Sequence, residues 1–230
     1  MKYLITVIIF LLIVFPSQSQ TYEIGALIGG SNYIGDIGKT NYIAPNNLAF
    51  GGLFKWNRSS RHSFRFSLLY AELEGNDKDA SSARRQSRDL SFSNTVLEAS
   101  AGLEFTFWDF DMYDGKPAAS PYLYTGLTYF KYDALFLDTD KRIKKFDTAW
   151  DFAIPIVLGY KTSVGTKLVL AFEIGARYTF TDNLDGTNPN KSKSSDNNLK
   201  FGNINSQDWY VFTGISLAFS FGRQPCYCNF

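Results

Sequence analysis

The chain has 230 residues, a formal charge of +1, a single histidine and two cysteines. So even a charge balance gives no electrostatic case for nucleic acid, and no Gly-rich phosphate loop, nucleotide motif or metal-spaced His/Cys cluster is present from which to build an enzyme. A mean hydropathy of −0.16 suits a soluble domain and a transmembrane barrel equally, because half of a barrel's strand residues face a polar lumen.

The N-terminal segment has the order of a secretory signal. Lys2 precedes an apolar run over 3–15, followed by Pro16-Ser-Gln-Ser19 with small residues at the −3 and −1 positions of a cleavage site. The run is too short for a spanning helix, which needs about 20 apolar residues. Residues 1–19 are therefore expected to be a signal peptide cut after Ser19, with no cysteine beyond it to carry a lipid anchor. No Pro- or Ser-rich linker divides what remains, so one exported domain is expected.

Eight segments then alternate apolar and polar residues with period 2. In 22–29, Tyr22, Ile24, Ala26 and Ile28 share a face; in 48–56, Leu48, Phe50, Phe54 and Trp56 do. Segment 63–73 sets Phe64, Phe66, Leu68 and Tyr70 against Arg65 and Ser67. The clearest, 93–107, places Leu97, Ala99, Ala101, Leu103, Phe105 and Phe107 opposite Glu98, Ser100, Gly102, Glu104 and Thr106. Segments 121–132 and 151–161 are less regular, although Phe152, Ile154, Ile156, Leu158 and Tyr160 align. In 167–180, Leu168 through Tyr178 alternate against Glu173 and Arg177. In 208–221, Trp209, Val211, Ile215, Leu217, Phe219 and Phe221 oppose Tyr210, Gly214, Ser216 and Ser220. Many segments end in Tyr, Trp or Phe, as aromatic girdles require.

The connections sort by length. Those at 30–47, 74–90, 133–150 and 181–207 are long; those at 57–62, 108–120 and 162–166 are shorter. This asymmetry belongs to outer-membrane barrels, not to soluble barrels or sandwiches. The sequence thus predicts an all-β fold, an eight-stranded antiparallel transmembrane β-barrel over 20–221 with long extracellular loops and short periplasmic turns. Even strand parity then places both mature termini in the periplasm. Strand parity also turns Glu23, Lys55, Arg65, Glu98, Glu104, Lys161, Glu173 and Arg177 inward. Eight strands enclose a space that side chains just fill, so these ions are expected to pair as a structural polar core instead of lining a pore.

Other candidates have ordinary readings. His62 beside Ser63 invites a lipid-hydrolase comparison, yet no acid pairs with it by spacing, and a rim histidine is expected. The oxygen-rich run Asp182-Asn-Leu-Asp185-Gly186 misses calcium-loop spacing and is expected to be a solvated loop. Arg84-Arg85 and Lys144-Lys145 are loop charges with two readings, contact with anionic lipopolysaccharide or a solvated loop, and the solvated loop is the expectation. Phe212-Thr-Gly214-Ile-Ser-Leu217-Ala-Phe219 fits a closing-strand export signal, after which residues 222–230 form a periplasmic tail carrying Cys226, Cys228 and Phe230. Thiols in an oxidising compartment tend to find partners, and one intervening residue makes a mutual bond awkward. An intermolecular disulfide through this tail is the expectation; a strained internal bond, free thiols or a metal-binding pair stay open.

Five stretches also carry a family resemblance: Gly30-Ser-Asn-Tyr-Ile-Gly-Asp36, Pro45-Asn-Asn-Leu-Ala-Phe-Gly-Gly52, Leu103-Glu-Phe-Thr-Phe-Trp-Asp109, Pro121-Tyr-Leu-Tyr-Thr-Gly126 and Tyr178-Thr-Phe-Thr-Asp-Asn-Leu-Asp-Gly186. Together they resemble PorG, the outer-membrane barrel component of the type IX secretion system of Bacteroidota. The resemblance implies a non-enzymatic part of a secretion machine, without cofactor, held in outer-membrane lipid and associated with a periplasmic ring of the lipoprotein PorK and its partner PorN. The other reading is a stand-alone surface barrel that adheres or binds lipid through its loops.

Overall fold

The computed structural model describes residues 21–113, 116–138, 140–189, 200–203 and 206–222. Eight antiparallel strands close into one barrel in sequence order: β1 (Thr21–Ile34), β2 (Asn47–Asn57), β3 (His62–Asn76), β4 (Ser91–Thr106), β5 (Ala119–Leu137), β6 (Ile143–Val164), β7 (Leu168–Thr179) and β8 (Trp209–Gly222). A 3-10 turn (Asp77–Asp79) and a short helix α1 (Ala83–Arg88) lie between β3 and β4. The ring closes through β1 and β8, from Thr21↔Gly222 to Ile34↔Trp209. The start of β1 and the end of β8 therefore lie together, on the side of the short turns.

The pleat sends alternate side chains in and out. Outward, Phe64, Phe66, Leu68, Leu97, Leu158, Phe172, Leu217 and Phe219 are exposed, while inward Lys55, Arg65, Glu98, Glu104 and Glu173 are buried. That distribution is a soluble protein turned inside out, and it is the arrangement lipid requires. Aromatic rings border the apolar band at both edges. Near the short turns Tyr22 stacks on Phe221 at 5.8 Å and Trp56 meets Phe64 at 5.5 Å; toward the long loops Tyr129 stacks on Trp150 at 5.1 Å and Tyr178 meets Trp209 at 4.8 Å. On the lumen face Gly102 sits opposite Gly126. A Cβ on Gly126 would fall 2.2 Å from the Ala101 carbonyl oxygen and 2.5 Å from the Gly102 Cα, so this strand approach excludes any side chain.

The strands outrun the sequence pattern on the long-loop side. Residues 30–34 extend β1, and 133–150, read as a loop, instead form most of a hairpin joining Leu137 to Ile143. Above the bilayer neither face of such a hairpin must be apolar, so the period-2 signal fades while the backbone pairing continues. This hairpin leaves its neighbours: β4 pairs with β5 only from Leu97↔Lys131 downward, and β6 with β7 only from Ala153↔Thr179 downward. Val211, expected outward, is buried at 3% exposure. Its register partner Asn32 holds the 41–44 segment, donating to the carbonyls of Asn41 and Tyr42 and accepting from the Ala44 N–H.

Candidate functional site

All eight lumen ions lie buried inside the barrel, six joined around Glu104, and Arg177 with Glu98 as a separate pair. Glu104 accepts from Lys55 Nζ at 2.9 Å and from Lys161 Nζ at 2.8 Å. Arg65 holds Glu173 with a two-toothed pair at 2.8 and 2.9 Å, and Tyr122 donates to the same carboxylate at 2.6 Å. One level up, Arg177 donates to Glu98 at 2.9 Å, joined by the Tyr210 hydroxyl at 2.6 Å. Glu23 accepts from Asn57 at 2.8 Å and lies 3.9 Å from Lys55. Four acids meet four bases, so the set is neutral. Charge-assisted bonds of this kind offset desolvation that no single ion would tolerate.

The short-turn end is closed by a strap. The connection from β4 to β5 turns inward, seating Met112 in a buried cluster with Leu27, Leu53, Leu69 and Phe212, with Phe110 packed against it. Lys161 lies over the Phe110 ring at 4.7 Å. Outside, Arg61 bonds Asp109 at 2.7 Å, tying this strap to the β2–β3 turn. Sequence reasoning passed over Phe110 and Met112; their alternation in a polar stretch was the available signal.

The long-loop mouth is capped, and here a sequence expectation fails. Asp182-Asn-Leu-Asp185-Gly186 is not a solvated loop: residues 181–187 are all buried. Leu184 is fully enclosed in an apolar cluster with Tyr33, Ile37, Leu73, Leu90, Phe92, Phe130, Tyr132, Leu135 and Tyr210. One apolar side chain in a polar run plugs the barrel and draws its neighbours under cover. Its backbone is fixed on both sides, the N–H donating to Asp208 at 2.9 Å and the carbonyl accepting from Asn94 at 2.7 Å. Asn94 also exchanges two bonds of 2.9 Å with the Asp133 backbone. Its amide thereby replaces strand pairing where β4 and β5 part.

The carboxylates of this cap fall into two electrical classes. Asp77 is buried, which opposes ionisation. Arg88 at 2.7 and 2.9 Å and the N–H groups of Gly38 and Leu90 outweigh that cost and hold its carboxyl below the usual range. Among the described residues, no such cation is bonded to Asp185 or Asp208. Burial pushes both carboxyls up, Asp208 strongly, and Asp185 adds repulsion to Asp208. Burial likewise lifts Asp182 to about 6, with Asp185 and Asp36 adding to it. Neutral donors serve the pair: Thr187 gives its N–H and hydroxyl to Asp185, and Tyr33 gives its hydroxyl to Asp208. Asp185 Oδ2 is buried without a hydrogen-bond partner. Among the described residues, no three His, Cys, Asp or Glu side chains are placed to hold a metal ion.

Comparison with known proteins adds a family. Residues 2–230 match the family described as "Domain of unknown function (DUF6089)". The chain belongs to that family. No match is found among curated proteins. Solved structures similar to this DUF6089 barrel include the attachment invasion locus protein Ail of Yersinia pestis (TM-score 0.45, 11% identity, 90% of this chain and 100% of that chain). The N-terminal β-barrel domain of Pseudomonas aeruginosa OprF gives 0.43 and 13%, over 89% and 98%, and a major outer membrane protein from Thermus thermophilus gives 0.45 and 13%, over 88% and 100%.

The remaining sequence candidates of this DUF6089 chain are easily placed. His62 is exposed on the short-turn rim, 3.2 Å from Ser59 Oγ and edge-on to Phe105. Arg84 is exposed, but Arg85, expected to be a solvated charge, donates to the carbonyls of Gly38 and Gly35 at 2.8 and 3.0 Å and pins the β1–β2 loop to α1. Lys144 and Lys145 are exposed on the hairpin and pair with Asp138 and Asp133. Residues 1–19, together with Cys226, Cys228 and Phe230, lie outside the described residues.

Proposed function

We propose that the chain is a non-enzymatic outer-membrane subunit of type IX secretion machinery, of the PorG kind, which anchors or organises a periplasmic ring of PorK and PorN. The observation that carries this reading is the filled, charge-neutral lumen. A barrel that passes nothing through its centre acts through its ends. At Thr21↔Gly222 the start of β1 and the end of β8 meet on the short-turn rim, and short turns are periplasmic in barrels of this architecture. On this reading residues 222–230 leave the barrel facing the ring, and Cys226, Cys228 and Phe230 bind the partner there, through an intermolecular disulfide in an oxidising space. The five PorG-like stretches supply the identity of that partner.

Co-purification from mildly solubilised outer membrane, with and without reductant, tests the reading. The expected result is retention of the ring components by the full chain and their loss when residues 222–230 are deleted. Ring binding that ignores the deletion sinks the anchor, and cysteines that alkylate fully in unreduced cells remove the disulfide. A stand-alone surface barrel is the second reading, favoured by the built cap and the β5–β6 hairpin that extends beyond its pairing with β4 and β7. Such a protein would keep its binding after tail deletion and lose it when the cap is disrupted.

A further inference from the structure

The cap contains an arrangement that neither reading uses. Asp185 and Asp208 come from opposite ends of the β7–β8 connection and are buried at 0% and 1% exposure. Asp208 Oδ2 accepts from the Leu184 N–H, so this carboxylate fastens the residue that plugs the mouth. Its Oδ1 accepts from the Tyr33 hydroxyl on β1. Asp185 spends Oδ1 on Thr187, and its Oδ2 has no partner. A Tyr hydroxyl has one proton to give, so one donor cannot serve both carboxylates.

Among the described residues, few charged and titratable groups act on this pair. Tyr33 faces both from β1, and Asp36 adds negative charge from the β1–β2 loop. Asp182 lies on the same connection as the pair, and Tyr132 of β5 senses Asp208. Arg88 of α1 is the cation that senses Asp185, yet its guanidinium is already bonded to both Asp77 oxygens and the Asp36 carbonyl. On the hairpin side Leu135 and Ile143 lie against Gly186, and the charges there, Lys144 with Asp138 and Lys145 with Asp133, are paired with each other. Two buried carboxylates that face a single Tyr33 hydroxyl cannot both ionise cheaply, and one proton between them resolves the conflict.

We propose that the segment 181–189 is a proton-operated lid on the barrel mouth, with Asp185 and Asp208 as its catch: one proton on the pair keeps Leu184 seated, and ionisation of both carboxyls releases it. Release uncovers a socket lined by Tyr33, Phe92, Phe130 and Tyr210, open to the outside of the mouth. The direction follows from linkage. In the closed lid the pair binds protons more tightly than ordinary carboxyls, so closure is fully supported below about pH 4 and is lost as pH rises through the closed-state values. The neighbouring Asp182, lifted to about 6, adds to the loss in the same direction.

Hydrogen exchange of the full mature barrel, followed by mass spectrometry from about pH 4 to about pH 9 and corrected for the intrinsic base-catalysed rate, tests the proposal. Opening of 181–189 should rise at least tenfold across the range, while 168–179 in β7 stays level. Asp208→Asn and Asp185→Asn each place a permanent donor beside the remaining carboxylate and should flatten the profile. Tyr33→Phe should extend the rise to higher pH. Heat-modifiable migration on gels shows that each variant has folded. A level profile in the native chain overturns the proposal, as does an unchanged slope in both Asn variants. Closure by millimolar calcium at every pH overturns it as well, since a metal ion would then be the catch.

Discussion

The two ends of this barrel are closed by different physics. From the short turns up to the level of Tyr210, ions that strand parity forces inward neutralise one another: Lys55 and Lys161 on Glu104, Arg65 on Glu173, and uppermost Arg177 on Glu98. At the long-loop mouth the lumen is apolar, filled by Phe92, Phe130, Tyr210 and the inserted Leu184, and its polar groups serve to fasten loop backbone. The first half is built into the strands and cannot loosen without opening the sheet. The second is assembled from loops onto the strands.

The comparison breaks most severely at Glu104. Glu104→Ala leaves Lys55 and Lys161 buried without their shared carboxylate, and loss of one partner from a buried ion set costs about 3–5 kcal/mol. The unfolding midpoint of the refolded barrel in denaturant should fall accordingly, and a double variant that also replaces Lys161 with Met should recover part of the loss. An unchanged midpoint would mean that the lumen ions are wet and weakly coupled.

A smaller effect belongs to the mouth. Leu184→Ala removes the plug and costs about 2–5 kcal/mol by the usual scale for buried leucine, but the cost should fall on the cap alone. Protease sensitivity within 181–189 should rise while the denaturation midpoint of the barrel barely moves. If both shift together, the cap and the strands form a single cooperative unit and the contrast between the ends is lost.

Within the mouth itself, pH should separate two wings. Asp77, held below the usual carboxyl range by Arg88 against the cost of burial, supports α1 and the β1–β2 loop above the ordinary carboxyl range, and this support is lost as pH falls through its lowered value. Asp185 and Asp208, lifted by burial, support the 181–189 wing at low pH and fail it as pH rises. Exchange of 35–38 and 83–88 should therefore increase on acidification, and that of 181–189 on alkalinisation. Parallel responses of the two wings would refute the separate assignments.

Strand parity in the sequence was enough to turn all eight lumen ions inward, because a strand buried on one side has only two choices of face. The same logic weakened outside the bilayer. Residues 143–150, with Lys144, Lys145 and Asp147, carry no apolar alternation, since above the membrane the hairpin from β5 to β6 is free to be polar. The cap was hidden for another reason. Asp, Asn, Gly and Thr around Leu184 are turn-forming residues whose burial depends on partners far along the chain, namely Asn94, Asp208 and Tyr33. Likewise nothing near Arg85 announces that it will bond the carbonyls of Gly35 and Gly38. Local pattern carries the wall of the barrel; its closures are long-range.

The smallest expected effect lies at the short-turn rim and sharpens the contrast by its absence. Arg61 and Asp109 form a 2.7 Å pair, yet both side chains are widely exposed, at 48% and 67%. Solvent screens such a pair, and exposed pairs of this kind often contribute nothing measurable. Arg61→Ala should therefore leave the denaturation midpoint unchanged at moderate salt. Phe110→Ala, one residue along the strap from Asp109, should lower it, because the ring packs against the buried Met112 cluster and lies under Lys161. If Arg61→Ala were the more damaging of the two, the strap would be held from outside by charge, and this end would resemble the loop-fastened mouth more than the strand-built lumen it adjoins.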